Sequence, residues 1–178
     1  MDINYEQNKT LIALQTAIQM EIDGKEYYLK NSRESSNEMG KKLFESLAVE
    51  EDIHQQNFTK IYEAIKNKEK WEAINIQHGG GKNLQEILKA ASETIDTDVS
   101  TKPGELDAVQ TAMNMENKTF DFYIKQSEAA AYNTERDFYY SLAAEERRHH
   151  QVLLSYYEYL KDPAAWFLQE EHSSLDGG

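Results

Sequence analysis

Apolar residues recur at helical spacing in four stretches of this chain. The first covers about residues 8–32, with Leu11, Leu14, Ile18 and Tyr28 on one stripe. The second covers about 38–66, on Leu47, Phe58, Ile61 and Ile65. A third begins near Pro103, which suits a first helical turn, and carries Val109, Ala112 and Tyr123. The fourth covers about 134–160, on Leu142, Leu153 and Leu160. Between the second and third, "HGGG" (78–81) breaks the pattern, and "NLQEILKAASETI" predicts a short helix capped by Asn83. Pro163 ends the fourth helix, and "AAWFLQEEHSSLDGG" reads as a short apolar piece followed by a polar tail. The expected fold is all-α: a four-helix bundle over 1–162 with one long crossover, and a C-terminal tail over 163–178.

The chain repeats itself. "ALQTAIQMEIDGKEYYLKNS" (13–32) aligns without a gap on "AVQTAMNMENKTFDFYIKQS" (108–127), and "SLAVEEDIHQQNF" matches "SLAAEERRHHQVL". Glu21 and Glu116, Glu51 and Glu146, and His54 and His149 are each 95 positions apart (116 − 21, 146 − 51, 149 − 54). Tyr28 and Tyr123 share the offset. The period is far too long for a solenoid, so the bundle is expected to consist of two repeated helical hairpins.

The repeat carries charge into core positions. Leu47, Glu51, His54, Phe58 and Ile61 keep the four–three spacing of a buried stripe, as do Leu142, Glu146, His149, Leu153 and Tyr156. Glu21 lies between Ile18 and Tyr28, and Glu116 between Ala112 and Tyr123. Four carboxylates and two imidazoles thus point inward. A single unpaired buried carboxylate costs several kcal/mol, so four together require a cation. Two divalent metal ions balance the four negative charges. A pair of Glu-x-x-His units plus one glutamate from each remaining helix is the donor set of ferritin-like di-metal bundles, and mixed oxygen and imidazole donors suit iron or manganese. His150 also stands one turn from Glu146, but its counterpart in the repeat is Gln55, which selects His149. Glu50 and Glu145 sit one residue off the stripe and are expected to back the ligands or face solvent. His78 and His172 fall in a glycine-rich loop and a polar tail.

Composition narrows the function classes. A net charge of −13 argues against nucleic acid and anionic membranes as partners. No stretch has the apolar length of a membrane span, and the start lacks a signal-peptide layout, so a cytoplasmic protein is expected. With no cysteine, thiolate chemistry, disulfides and iron–sulfur centres are excluded.

Through "ALQTAIQMEIDGKEYY", "LAVEEDIH", "AMNMENKTFDFY" and "LAAEERRH" the chain resembles the rubrerythrin family, without its rubredoxin domain, over about residues 8–160. The resemblance implies a ferritin-like fold holding two non-haem iron ions, an oxidoreductase that reduces hydrogen peroxide, and a homodimer. It implies Glu21, Glu51, His54, Glu116, Glu146 and His149 as ligands, with Glu51 and Glu146 bridging. Tyr28 and Tyr123 become candidate catalytic residues, donating hydrogen bonds near the metals. Lacking a rubredoxin domain, the chain needs an external electron donor such as a rubredoxin-type protein. Rubrerythrins usually carry a further glutamate three residues after the third-helix ligand. Here that residue is Thr119, so the six-ligand set is closer to that of bacterioferritins. Asp52 stands where bacterioferritins place a haem-binding methionine, so haem is not expected. Alternative readings are a ferroxidase or iron-storage protein, which needs a hollow cage and oxygen as oxidant, a dimanganese catalase, and a metal-free helical interaction module.

Overall fold

The computed structural model describes residues 3–68, 82–93 and 102–175, with side chains at 7–68, 84–90 and 102–169. The described residues form six helices: α1 (Ile3–Glu34), α2 (Glu38–Lys66), α3 (Lys82–Glu93), α4 (Glu105–Ala129), α5 (Asn133–Lys161) and α6 (Pro163–Leu175). α1 packs along α2 and α4 along α5, each pair joined by a three-residue turn. The two hairpins close on each other through α1 with α4 and α2 with α5. α3, within the crossover, lies against α2 and α5, and α6 lies against α5. This is the expected ferritin-like bundle with one crossover.

Local chemistry sets the helix limits. Asn37 caps α2 by accepting from the Gly40 N–H at 2.8 Å. Gly104 takes a left-handed φ of 89° just before α4, so Pro103 stands in the preceding turn instead of the first helical turn. α3 begins at Lys82, one residue before the expected cap Asn83. The segment after Pro163 differs most from expectation, because it is helical through Leu175. Asp162 Oδ1 accepts from the Ala165 N–H at 3.0 Å, and Pro163 at the first position needs no hydrogen-bond partner for its nitrogen. Trp166 and Phe167 then bury themselves on Tyr159. Expectations at residues 69–81, His78 among them, lie outside the described residues.

The core has two apolar layers. One contains Tyr28, Leu43, Phe44, Leu47, Leu153 and Tyr156. The other contains Leu14, Phe58, Ile61, Tyr123, Tyr139 and Leu142. Glu51, His54, Glu146 and His149 fall between Leu47 and Phe58, or between Leu142 and Leu153, and so form a polar layer between the two.

At one end, Glu105 locks the hairpins together. Its carboxylate accepts from Ser35 Oγ at 2.6 Å, Ser36 N at 3.2 Å, Tyr156 Oη at 2.9 Å, and Ser36 Oγ. Burial opposes its ionisation, but these bonds outweigh burial and hold the carboxyl below its ordinary range. Gly40 makes the same corner possible, since a Cβ there would run into Tyr156 Oη and Ser35 Oγ. Gly40→Ala should therefore cost about 1–3 kcal/mol by overpacking, read as a lowered urea midpoint. An unchanged midpoint would show that this corner yields freely.

Candidate metal centre

α1, α2, α4 and α5 each send a carboxylate into the polar layer, and α2 and α5 add an imidazole each. All six predicted residues, Glu21, Glu51, His54, Glu116, Glu146 and His149, are buried and come together. They resolve into two overlapping groups whose donor atoms lie within 4.8 Å of one another: Glu21, Glu51, His54, Glu146 and Glu51, Glu116, Glu146, His149. In the first, His54 Nδ1 stands 3.4 Å from Glu21 Oε2, 3.8 Å from Glu51 Oε2 and 3.2 Å from Glu146 Oε1. In the second, His149 Nδ1 stands 3.4 Å from Glu51 Oε1, 3.6 Å from Glu116 Oε2 and 3.7 Å from Glu146 Oε2. Glu51 and Glu146 thus turn one oxygen toward each group, the arrangement a bridging carboxylate needs. The imidazole rings lie nearly parallel, 5.8 Å apart.

Four atoms test whether the cluster fits metal. Glu21 Oε2, Glu146 Oε1, His54 Nδ1 and His149 Nδ1 are buried without a hydrogen-bond partner, and all face the cluster. Orphaned buried polar atoms cost about 1–3 kcal/mol each, so their convergence calls for a coordinated cation. The residues fit a pair of metal ions.

The reach of Glu50 and Glu145 is not legible in sequence. Both are buried, and each crosses to the opposite hairpin: His54 Nε2 meets Glu145 Oε2 at 2.9 Å, and His149 Nε2 meets Glu50 Oε2 at 3.0 Å. Each contact fixes the ring and leaves Nδ1 aimed inward, as outer carboxylates do for metal-bound histidines. The available signal was the repeat itself, since Glu50 and Glu145 share its offset (145 − 50 = 95). The tyrosines also cross hairpins: Tyr28 Oη donates to Glu116 Oε1, and Tyr123 Oη to Glu21 Oε1. His150 is partly exposed and outside the cluster. The side chain of His172 is outside the described residues.

Without metal the cluster must share protons. Burial raises the carboxyls of Glu21 and Glu116 well above their usual range, helped by repulsion from Glu51 and Glu146 respectively. Burial and repulsion from Glu146 oppose charge on Glu51 too, yet the adjoining Glu21 carboxyl and the His149 and His54 imidazoles hold it down at about 2, and the two imidazoles lower Glu146 as well. Burial disfavours the charged imidazoles, but attraction to Glu21 and Glu116 and the hydrogen-bonding carboxylates prevail, raising both histidines well above 6.5.

A small cavity touches the cluster between α1 and α4. It is lined by Met20, Gly24, Tyr28, Glu51, Met115, Glu116, Thr119 and Glu146, with about 10 Å³ of space, roughly one water molecule. A Cβ on Gly24 would lie 3.5 Å from Glu51 Cδ, so the missing side chain keeps the Glu51 carboxylate uncovered. Thr119, the repeat counterpart of Gly24 (119 − 24 = 95), turns its hydroxyl back to the Met115 carbonyl at 3.1 Å.

Fold and donor set together define a ferritin-like helical bundle fitted for a dinuclear carboxylate centre. The rubrerythrin family model matches residues 13–157, and the chain belongs to the rubrerythrin family. Neither a curated protein nor a solved structure matches the chain. Among the described residues, no helix is long and apolar enough to cross a membrane.

Proposed function

We propose that the protein is a non-haem di-iron peroxidase that reduces hydrogen peroxide to water, with Glu21, Glu51, His54, Glu116, Glu146 and His149 as ligands. The observation that carries this reading is the pair of overlapping donor groups joined by Glu51 and Glu146 beside a water-sized cavity. When bound, two ferrous ions supply together the two electrons that cleaving one O–O bond requires. The protein's part is positioning. Glu50 and Glu145 orient the imidazoles, and the two apolar layers exclude water from above and below. The cavity limits the oxidant to a small one, so an alkyl hydroperoxide should react more slowly than hydrogen peroxide. Burial raises Tyr28 and Tyr123 well above 10, and the adjacent glutamates add to the shift, so both phenols stay protonated and keep donating to Glu116 and Glu21.

Replacing both tyrosines with Phe should slow the peroxide step by roughly 10–100-fold, the usual cost of losing outer hydrogen bonds, while metal content stays nearly full. Stopped-flow mixing with peroxide and metal analysis read the two effects separately. A double variant as fast as the parent would remove the tyrosines from the chemistry.

Re-reduction draws on an external donor, because the chain has no cysteine to hold a rubredoxin-type iron. The family reading supports a homodimer, and manganese can replace iron in the same donors. Stopped-flow oxidation of the ferrous protein tests the function: peroxide should react faster than oxygen. If oxygen reacts faster and added Fe(II) accumulates as mineral in a large cage, the protein is a ferroxidase instead.

A further inference from the structure

Five aromatic rings run without a break from α6 to the cluster. Trp166 stands edge-on to Tyr159 with centroids 5.3 Å apart, and Tyr159 stacks on Tyr156 at 6.4 Å. Tyr156 meets Phe44 at 6.1 Å, and Phe44 stacks on Tyr28 at 6.0 Å. Tyr28 then donates to Glu116. All five are buried, while Leu168, next to the outer end, is exposed.

Packing alone does not call for Tyr156 and Tyr159. The repeat places Ile61 and Ala64 at the counterparts of Tyr156 and Tyr159 (156 − 61 and 159 − 64 are both 95), and both are buried at the other end of the bundle. At these two positions aliphatic side chains therefore suffice in the equivalent core. Tyr156 brings a phenol into the layer of Tyr28 and Phe44 and places it 2.9 Å from the Glu105 carboxylate, which is ionised at neutral pH. A phenol on a carboxylate is a good one-electron relay, because its oxidation releases a proton that the carboxylate accepts within hydrogen-bond reach. Trp166, with its Nε1 donating to Ser155 Oγ at 2.9 Å, places an easily oxidised indole at the outer end.

We propose that this run of rings carries single oxidising equivalents from the metal centre to the C-terminal helix, with Tyr156 as relay and Glu105 as the base that takes its phenolic proton. The role rests on the peroxide-reducing reading. Peroxide needs two electrons and two protons to become two waters. When it meets a metal pair able to give only one electron, the rings supply the second. Tyr156 then loses an electron toward the centre and its proton to Glu105; Trp166 returns the electron to Tyr156 while Glu105 returns the proton, and a one-electron reductant in solution refills Trp166. Solvent supplies the protons for water. Damage is thereby led away from the ligands to a place where a donor can repair it.

The absence of cysteine makes the test direct, since Leu168→Cys gives a single thiol for a ruthenium photosensitiser. Trp71→Phe leaves Trp166 as the sole indole, and zinc in place of iron keeps the centre redox-inert. After a flash with an oxidative quencher, the hole enters at Trp166 and runs the same path in reverse, so the indolyl signal should fall to a shared equilibrium as a tyrosyl signal rises. Tyr156→Phe and Glu105→Gln should each slow that rise by an order of magnitude or more; Glu105→Gln leaves every ring in place. An indolyl radical that only recombines with the label, or a rise unchanged in both variants, overturns the path. In the iron-loaded chain, peroxide added to a half-reduced centre should give a tyrosyl resonance that Tyr156→Phe removes; a resonance that survives that change overturns the relay. The flash arm contains neither iron nor peroxide. Its failure leaves peroxide reduction standing, whereas a centre inert to peroxide beside a working flash arm sinks the function and not the path.

Discussion

Stripping the metal should lower the melting temperature by roughly 10 °C near neutral pH, because a ligand at a thousandfold its dissociation constant stabilises by about 4 kcal/mol. The effect should depend on pH with a definite sign. In the metal-free protein, His54 and His149 are raised above 6.5, so their contribution is complete below that value and is lost as pH rises through their folded values. Glu21 and Glu116, raised above 4.5, act in the same direction. Glu51 acts oppositely: its contribution is present above 4.5 and is lost as pH falls toward about 2. The metal-free protein should therefore be most stable in mild acid and weaken as pH rises. Metal binding runs the other way, since ligands must shed protons. The gap between loaded and stripped melting temperatures should be wide at about pH 8 and narrow toward about pH 5. Calorimetry in metal and in chelator measures it; a gap that stays constant or widens on acidification would contradict a shared buried carboxylate cluster.

Replacing Glu51 with Ala should empty both sites, whereas replacing Glu21 should weaken mainly one. Glu51 offers one oxygen to each donor group, and Glu21 belongs to one group alone. Losing an outer-sphere partner already costs roughly 10–100-fold in metal affinity, and losing a bridging ligand should cost more at both ions. Metal content after desalting should fall from two per chain to below one for Glu51→Ala, and stay at one or above for Glu21→Ala. A Glu51→Ala protein that keeps a full pair would remove Glu51 from the bridge.

The sequence shows these six inward residues because burial leaves a periodic mark. Glu51 and His54 occupy stripe positions between Leu47 and Phe58, and an identical offset relates each ligand to its partner. Glu50 and Glu145 share the offset but leave no stripe mark. Each lies one position off its helix's stripe, and its value comes from α2 and α5 facing each other, which lets it reach the opposite histidine. The crossed contacts of Tyr28 and Tyr123 are tertiary facts for the same reason. α6 reads as a tail because its apolar side, Trp166 and Phe167, is short and gains meaning only against Tyr159. The cavity depends on what Gly24 lacks, and a missing side chain carries no periodicity.

On the proposed function, the six inward residues hold two irons that act together on one peroxide. The most direct test of this reading is an anaerobic titration of the ferrous-loaded protein with hydrogen peroxide, followed optically and by iron analysis. One peroxide should oxidise both irons of a chain, with a break at one peroxide per two irons and no free radical escaping into solution. A protein that binds a single iron, or whose iron pair stays reduced after an equivalent of peroxide, would contradict it.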